Sequence, residues 1–251
     1  MKVNRTTKRT IEMLELISKN PKGMSLNEIV IDMGIPKTSA FDILHTLNEL
    51  EMVEILDARS KIYSIGIRAF TIGNSYINNA DLINISRPIL ENLGNKMSKT
   101  IFLGKESKGK VVYLYKYEPA SAIITTCKIG NQNEIHCTSL GKCALAFSGD
   151  YKERINELEL NRRTPYTITD KKELIENIEQ VNRQKYSVDD REYEEHMFCI
   201  GAPIFNHEGL FEAAISISGM YVEGRDYSEE FELVKNAAEL ISRKMGYLGY
   251  Y

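Results

Sequence analysis

The chain has 251 residues, and several features it lacks narrow what it does. No apolar run approaches the roughly 18 residues that a membrane-spanning helix needs. The amino terminus is charged and helical in pattern, without the apolar core of a secretory signal. A soluble, cytoplasmic protein with no membrane partner is expected. The four cysteines, Cys127, Cys137, Cys143 and Cys199, form no C-x-x-C pair, so no zinc motif is present. In a reducing compartment they read as buried apolar thiols and not as disulfides. The phosphate-loop pattern G-x-x-x-x-G-K-[ST] is missing, so Ser139-Leu140-Gly141-Lys142 is no phosphate cradle. A net charge of −3 rules out a general polycation. Any nucleic-acid contact must come from a local basic patch.

Catalytic sets are also wanting. His136 and Cys137 are neighbours, and neighbours on an extended segment point apart, whereas a thiol–imidazole pair needs hydrogen-bond reach. His196, Cys199 and His207 lack ligand spacing. No catalytic residue, metal site or cofactor is expected.

What is present centres on residues 24–63. Ser25 and Glu28 form a capping box, and Leu26, Ile29, Val30 and Met33 mark one helical face. Gly34 stops that helix, and Pro36 suits the first turn of the next. There Ala40, Ile43, Leu44 and Leu47 fall inward, while Thr38, Asp42, His45 and Glu49 fall on the opposite side. A hairpin follows, from residues 53–56 through a turn at 57–60 to 61–65, with Arg59 and Lys61 at its tip. This order is that of a winged helix-turn-helix, although a plain three-helix bundle with a solvated face has the same period. In the DNA-binding reading Thr38, Ser39, Phe41, Asp42 and His45 face the groove. Lys37, Arg59, Lys61 and an amino-terminal arm carrying Arg5, Lys8 and Arg9 hold phosphates.

The rest divides by period. A helix at 10–20 turns Ile11, Leu14 and Ile17 inward. Helix Ile67–Asn79 reads as a linker that sets the spacing of two subunits. Residues 82–86 are helical, and Pro88 starts a further helix at 89–97. From Thr100 the period becomes two, predicting strands at 100–105, Lys110–Tyr117 and 121–127. A polar loop at 130–134, a helix at 138–147 and another at 151–158 come next. Asp170 and Glu173 form a second capping box ahead of a helix at 174–185. Strands Met197–Phe205 and 210–219 and a last helix capped by Ser228 complete the chain. On strand 210–219 the small face of Ala214, Ser216 and Ser218 offers room and hydroxyls beside the sheet for a small ligand. The domains expected are 1–66, a winged helix-turn-helix; 67–81, a linker helix; and 82–251, an α+β domain on a mostly antiparallel sheet.

Three segments carry a resemblance: SLNEIVIDMGIPKTSAFDILHTLNELEMVE, IHCTSLGKCALAF and YSVDDREYEEHMFCIGAPIFNHEGLFEAAISISG. In order and spacing they resemble the isocitrate-lyase-regulator (IclR) family of bacterial transcription factors. The resemblance implies a GAF-like effector domain, no enzymatic activity, and a homodimer or homotetramer. It implies binding to double-stranded operator DNA in response to a small metabolite such as an organic or sugar acid. It also implies effector contacts at Ser139, Leu140, Asp189, Cys199, Ser216 and Ser218. Two departures stand out. Ser139 and Leu140 are bulkier than the small residues common before Gly-Lys. Asp42 replaces an Arg frequent in the recognition helix, and a carboxylate reads cytosine N4 rather than guanine or phosphate. The alternative is a metabolic enzyme or acyl-group sensor with an accessory helix-turn-helix.

Overall fold

The computed structural model describes residues 3–57, 59–79, 81–120, 122 and 126–249, the side chains of 74–81 excepted. Helix α1 (Arg5–Ser18) starts at Arg5, not at residue 10. The Asn4 side chain accepts from the Thr7 N–H at 3.0 Å, a cap the apolar period does not reveal because residues 5–10 include no large apolar side chain. Arg5, Lys8 and Arg9 therefore lie within the first helix. Met13 and Ile17 are its buried residues, whereas Ile11 faces outward.

Strand β1 (Met24–Ser25), unforeseen in the sequence, precedes α2 (Leu26–Met33). The capping box forms: the Ser25 N–H donates to Glu28 at 2.7 Å, and the Glu28 N–H returns to the Ser25 hydroxyl at 3.4 Å. Gly34 closes α2 at φ 59°, a left-handed turn that suits glycine. Helix α3 (Lys37–Glu49) follows Pro36. Strands β2 (Val53–Asp57) and β3 (Ile62–Ile65) make the wing, and β3 also pairs with β1. Met13, Ile17, Ile29, Ala40, Leu44, Leu47, Val53 and Tyr63 close this core. Helix α4 (Ile67–Asn79) ends the first of two compact units, 1–79 and 80–251.

In the second unit α5 (Asp81–Met97) runs unbroken through Pro88, where a helix start was expected. Proline removes one backbone bond, but buried Ile83, Leu90 and Leu93 keep both halves on the same face. The sheet comprises β4 (Thr100–Ser107), β5 (Lys110–Tyr117), β6 (Gln132–Glu134), β7 (Ser187–Asp190), β8 (Met197–Phe205) and β9 (Phe211–Met220). Its order is β6-β5-β4-β9-β8-β7, every pairing antiparallel. Residues 132–134, read as loop, supply one edge strand, and Ser187–Asp190 supplies the other. Of the strand expected at 121–127, residues 121 and 123–125 lie outside the described residues, and Ala122, Thr126 and Cys127 are not in a strand.

Helix α6 (Ser139–Ala146) lies against β4, β8 and β9, with α7 (Tyr151–Glu157) and α8 (Lys171–Gln184) behind it. Helices α5 and α9 (Ser228–Lys244) pack against each other and the sheet. Asp170 caps α8, accepting from the Lys172 and Glu173 N–H groups. Ser228 does not cap α9, because it is already helical; Asp226 accepts from its N–H instead, at 2.9 Å. The fold is thus a winged helix-turn-helix followed by an α+β domain on an antiparallel sheet, GAF-like in class.

Candidate functional site

Helix α3 presents Lys37, Thr38, Phe41, Asp42 and His45 to solvent, with Ser39 half-buried. The Phe41 and His45 rings sit 6.1 Å apart, one helical turn along. Lys37 donates to the Asn27 side chain at 2.9 Å, which aims its ammonium across the start of α2. At the wing tip Asp57 accepts from the Arg59 N–H, and Lys61 takes a left-handed φ of 47°. Arg59 and Lys61 are both exposed. On α1, Lys8 pairs with Glu12 at 3.4 Å, so its charge is partly offset.

The second unit holds a cavity of about 50 Å³, room for a few water-sized groups. Its floor includes a row of residues directly opposite one another on three strands, Asp189 on β7, Cys199 on β8 and Ser218 on β9. The next row brings Ser216 opposite Phe102. Thr138 and Ser139 at the start of α6 form a wall, and Tyr193, Glu194 and Met197 add to the lining. Five expected residues, Ser139, Asp189, Cys199, Ser216 and Ser218, line this cavity. Leu140 does not. One helical step turns its side chain away from that of Ser139, onto Gly104 and among Phe102, Val111 and Ala214.

Burial, reinforced by the Glu192 carboxylate and opposed by Lys142, pushes the Asp189 carboxyl up to about 7. One of its oxygens accepts from the Glu192 and Tyr193 N–H groups at 2.8 and 3.2 Å, closing a turn through left-handed Arg191. Behind it lies a buried ion pair, Lys142 with Glu192; the ammonium also donates to the Val188 carbonyl at 3.1 Å. Burial raises the Glu192 carboxyl, against the pull of Lys142. The Cys199 thiol donates to the Ser218 hydroxyl at 3.3 Å, and burial pushes this thiol up, far from a thiolate.

Sequence reading missed Tyr113, Asn133 and Cys127, which also line the cavity. Strict alternation places Tyr113, Tyr115 and Tyr117 on one face of β5. The structure turns Tyr113 over, because Leu103 pairs with Tyr115 while Gly104 pairs with Tyr113, leaving Leu114 as an extra residue in a β-bulge. Tyr115 and Tyr117 bond Glu91 and Asn95 of α5, each at 2.8 Å. Tyr113 instead joins the cavity, where its hydroxyl accepts from the Asn133 amide at 3.2 Å. Asn133 in turn accepts from the Tyr193 hydroxyl at 3.0 Å. No residue type in KVVYLYKY announces the bulge.

The expectation that His136 and Cys137 point apart is also corrected. Their ligand atoms and a Glu134 oxygen lie within 4.8 Å of one another, because the backbone turns from β6 toward α6 here. Glu134 is already paired with Arg163 at 2.7 Å, and His136 bonds the Asn161 carbonyl at 3.1 Å. The group ties residues 161–163 to the edge of the sheet.

Comparison with known proteins agrees with this architecture. Residues 74–243 match the bacterial transcriptional regulator IclR C-terminal family, and residues 6–56 match the IclR helix-turn-helix domain. The HTH-type transcriptional regulator KipR of Bacillus subtilis is 30% identical over 250 residues, covering 97% of this chain and 98% of KipR. The crystal structure of Thermotoga maritima IclR is 30% identical, with a TM-score of 0.73 over 96% of this chain and 99% of that one. An IclR homolog from Microbacterium hydrocarbonoxydans, complexed with 4-hydroxybenzoate, shares the fold at 19% identity, with a TM-score of 0.83 over 96% of this chain and 98% of its own. A recognition helix with its wing, a polar cavity on a GAF-like sheet and these matches together make the chain a member of the IclR family, DNA-binding transcriptional regulators controlled by a small-molecule effector.

Proposed function

We propose that this regulator binds operator DNA through α3 and its wing, and releases or engages it when a small hydroxylated acid or sugar acid fills the C-terminal cavity. The observation that supports the reading is the convergence of Ser139, Asp189, Cys199, Ser216 and Ser218 on one cavity. The protein works in the cytoplasm as a homodimer or homotetramer, with α4 as the linker between domains 1–66 and 82–251. Exposed Ile67, Phe70 and Ile72 on that helix suit a partner subunit. It is not an enzyme. The rival reading is an acyl-group sensor or metabolic enzyme; a thiol-based form of it is disfavoured, because burial raises both cysteines at the cavity, Cys127 to about 11 and Cys199 further.

Thr38, Ser39, Phe41, Asp42 and His45 read bases, while Lys37, Arg59, Lys61, Arg5, Lys8 and Arg9 hold phosphates. Lys37→Ala is expected to weaken binding to all sequences alike and to flatten the salt dependence by about one unit of slope. His45→Ala should change sequence preference instead. Operator titrations from 50 to 200 mM salt check this; an unchanged slope for Lys37→Ala overturns the placement.

Asp189 makes the effector response depend on pH. Its surroundings are Glu192, Lys142, Glu194 and the thiol of Cys199, and none of the described lining residues is Lys or Arg. An anionic effector therefore prefers the protonated carboxyl, which is lost as pH rises through about 7. Above that pH, affinity should fall by up to about tenfold per unit. Asp189→Asn should bind the same acid with flat pH dependence. Calorimetry at pH 6, 7 and 8 decides; a flat wild-type profile contradicts the role given to Asp189.

A further inference from the structure

We propose that Tyr113 selects the effector, donating its phenolic proton to a hydroxyl oxygen of a small acid and so rejecting the deoxy counterpart. The inference rests on the cavity assigned above and adds the chemical group that is read.

Four observations carry it. The bulge at Leu114 turns Tyr113 out of the row that faces α5 and into the cavity. The tyrosine is 7% exposed, and its ring is held edge-on to Phe102 at 5.0 Å between centroids. Asn133 donates to the phenol oxygen and Tyr193 fixes Asn133, so the phenolic proton is directed to the Cys127 sulfur on the cavity lining, a weak acceptor that a ligand oxygen displaces. Burial holds the phenol neutral, which makes it a donor throughout the physiological range. A buried donor with a fixed direction costs little to satisfy and much to leave unpaired. A site built to bond a hydroxyl therefore discriminates against a ligand lacking one far better than a merely apolar pocket does. A hydroxyl accepts from Tyr113 and keeps a proton for a second acceptor on the lining, such as the Ser216 or Ser218 hydroxyl, whatever the protonation of Asp189.

The test uses the full chain and three pairs of acids that differ by one hydroxyl: glycolate and acetate, lactate and propionate, 4-hydroxybenzoate and benzoate. Affinities are read by calorimetry for wild type, Tyr113→Phe, Tyr115→Phe and Ser218→Ala. Wild type is expected to favour the hydroxylated member of at least one pair by roughly tenfold. Tyr113→Phe should bring that ratio near one. Tyr115→Phe, altered on the same strand but toward α5, should keep it. Asn133→Ser leaves the phenol in place but loosens its direction, so a partial fall in the ratio is expected even where Tyr113→Phe melts early. A wild type that binds none of the six acids, or shows no preference, overturns the proposal, as does a Tyr113→Phe protein with the wild-type ratio. If Ser218→Ala weakens binding while Tyr113→Phe keeps the ratio, the cavity stands and the role of Tyr113 falls. If neither change alters binding, the cavity reading itself fails.

Discussion

Lys142→Ala is expected to destabilise the C-terminal unit by about 3–5 kcal/mol, the cost of leaving one member of a buried ion pair without its partner. Lys142 is fully buried and Glu192 is 5% exposed, so water screens neither. Removing the ammonium strands the Glu192 carboxyl, one oxygen of which already has no hydrogen-bond partner, and also frees the Val188 carbonyl. Removing both charges is a different experiment. Lys142→Met with Glu192→Leu exchanges the pair for apolar side chains of similar size, and such exchanges are often neutral or stabilising. The double variant should therefore recover most of the loss. The chain has no tryptophan, so urea unfolding is best followed by circular dichroism or by its 14 tyrosines. A single variant within 1 kcal/mol of wild type would mean that water or a rearranged partner rescues Glu192.

Gly141→Ala should be nearly as severe and should act on function as well. A β-carbon there would sit 2.2 Å from the Ile135 carbonyl oxygen and 2.5 Å from the Ile135 α-carbon. Both are backbone atoms, so no rotamer change relieves the clash, and α6 must move off the segment beneath it. Overpacking of this kind typically costs about 1–3 kcal/mol and sometimes more. The shift also strains the Thr138 cap, which holds the Gly141 N–H at 3.2 Å, and carries Ser139 out of place in the cavity. Effector-dependent change in operator binding should be lost, while effector-free binding persists through residues 1–79. Gly149→Ala, where a β-carbon meets nothing within 4 Å, is the control. A Gly141→Ala protein with wild-type melting and full effector response would contradict the packing described.

Most of the helix-turn-helix was legible because its signals are local. The capping box, the glycine stop and the inward positions of α3 are each written within a few residues. So were the long strands β8 and β9, whose alternation is regular and whose small face marked the cavity floor. What escaped has physical reasons in common. Edge strands β6 and β7 are short and polar, held by pairing more than by their own side chains. Helix α5 hides its continuity, because Pro88 signals a start that packing overrides. Leu140 was assigned by resemblance, and the helical step that turns it away is visible only once α6 is placed. Tyr113 was hidden by the bulge, since a single extra residue reverses a face without changing composition.

The bond between Tyr193 and Asn133 has a consequence beyond the cavity. Tyr193 follows one edge strand of the sheet, β7, and Asn133 belongs to the other, β6. Six strands laid flat would hold those edges about 24 Å apart at roughly 4.8 Å per strand. A 3.0 Å hydrogen bond between their side chains shows that the segment after β7 reaches back across the sheet to β6, so the two edges are tied by side chains and not by strand pairing. Unpaired margins invite strands from other molecules, and natural sheets shield them. Here the tie anchors the segment beside one margin to the strand at the other, so the contact that lines the cavity also restrains both edges.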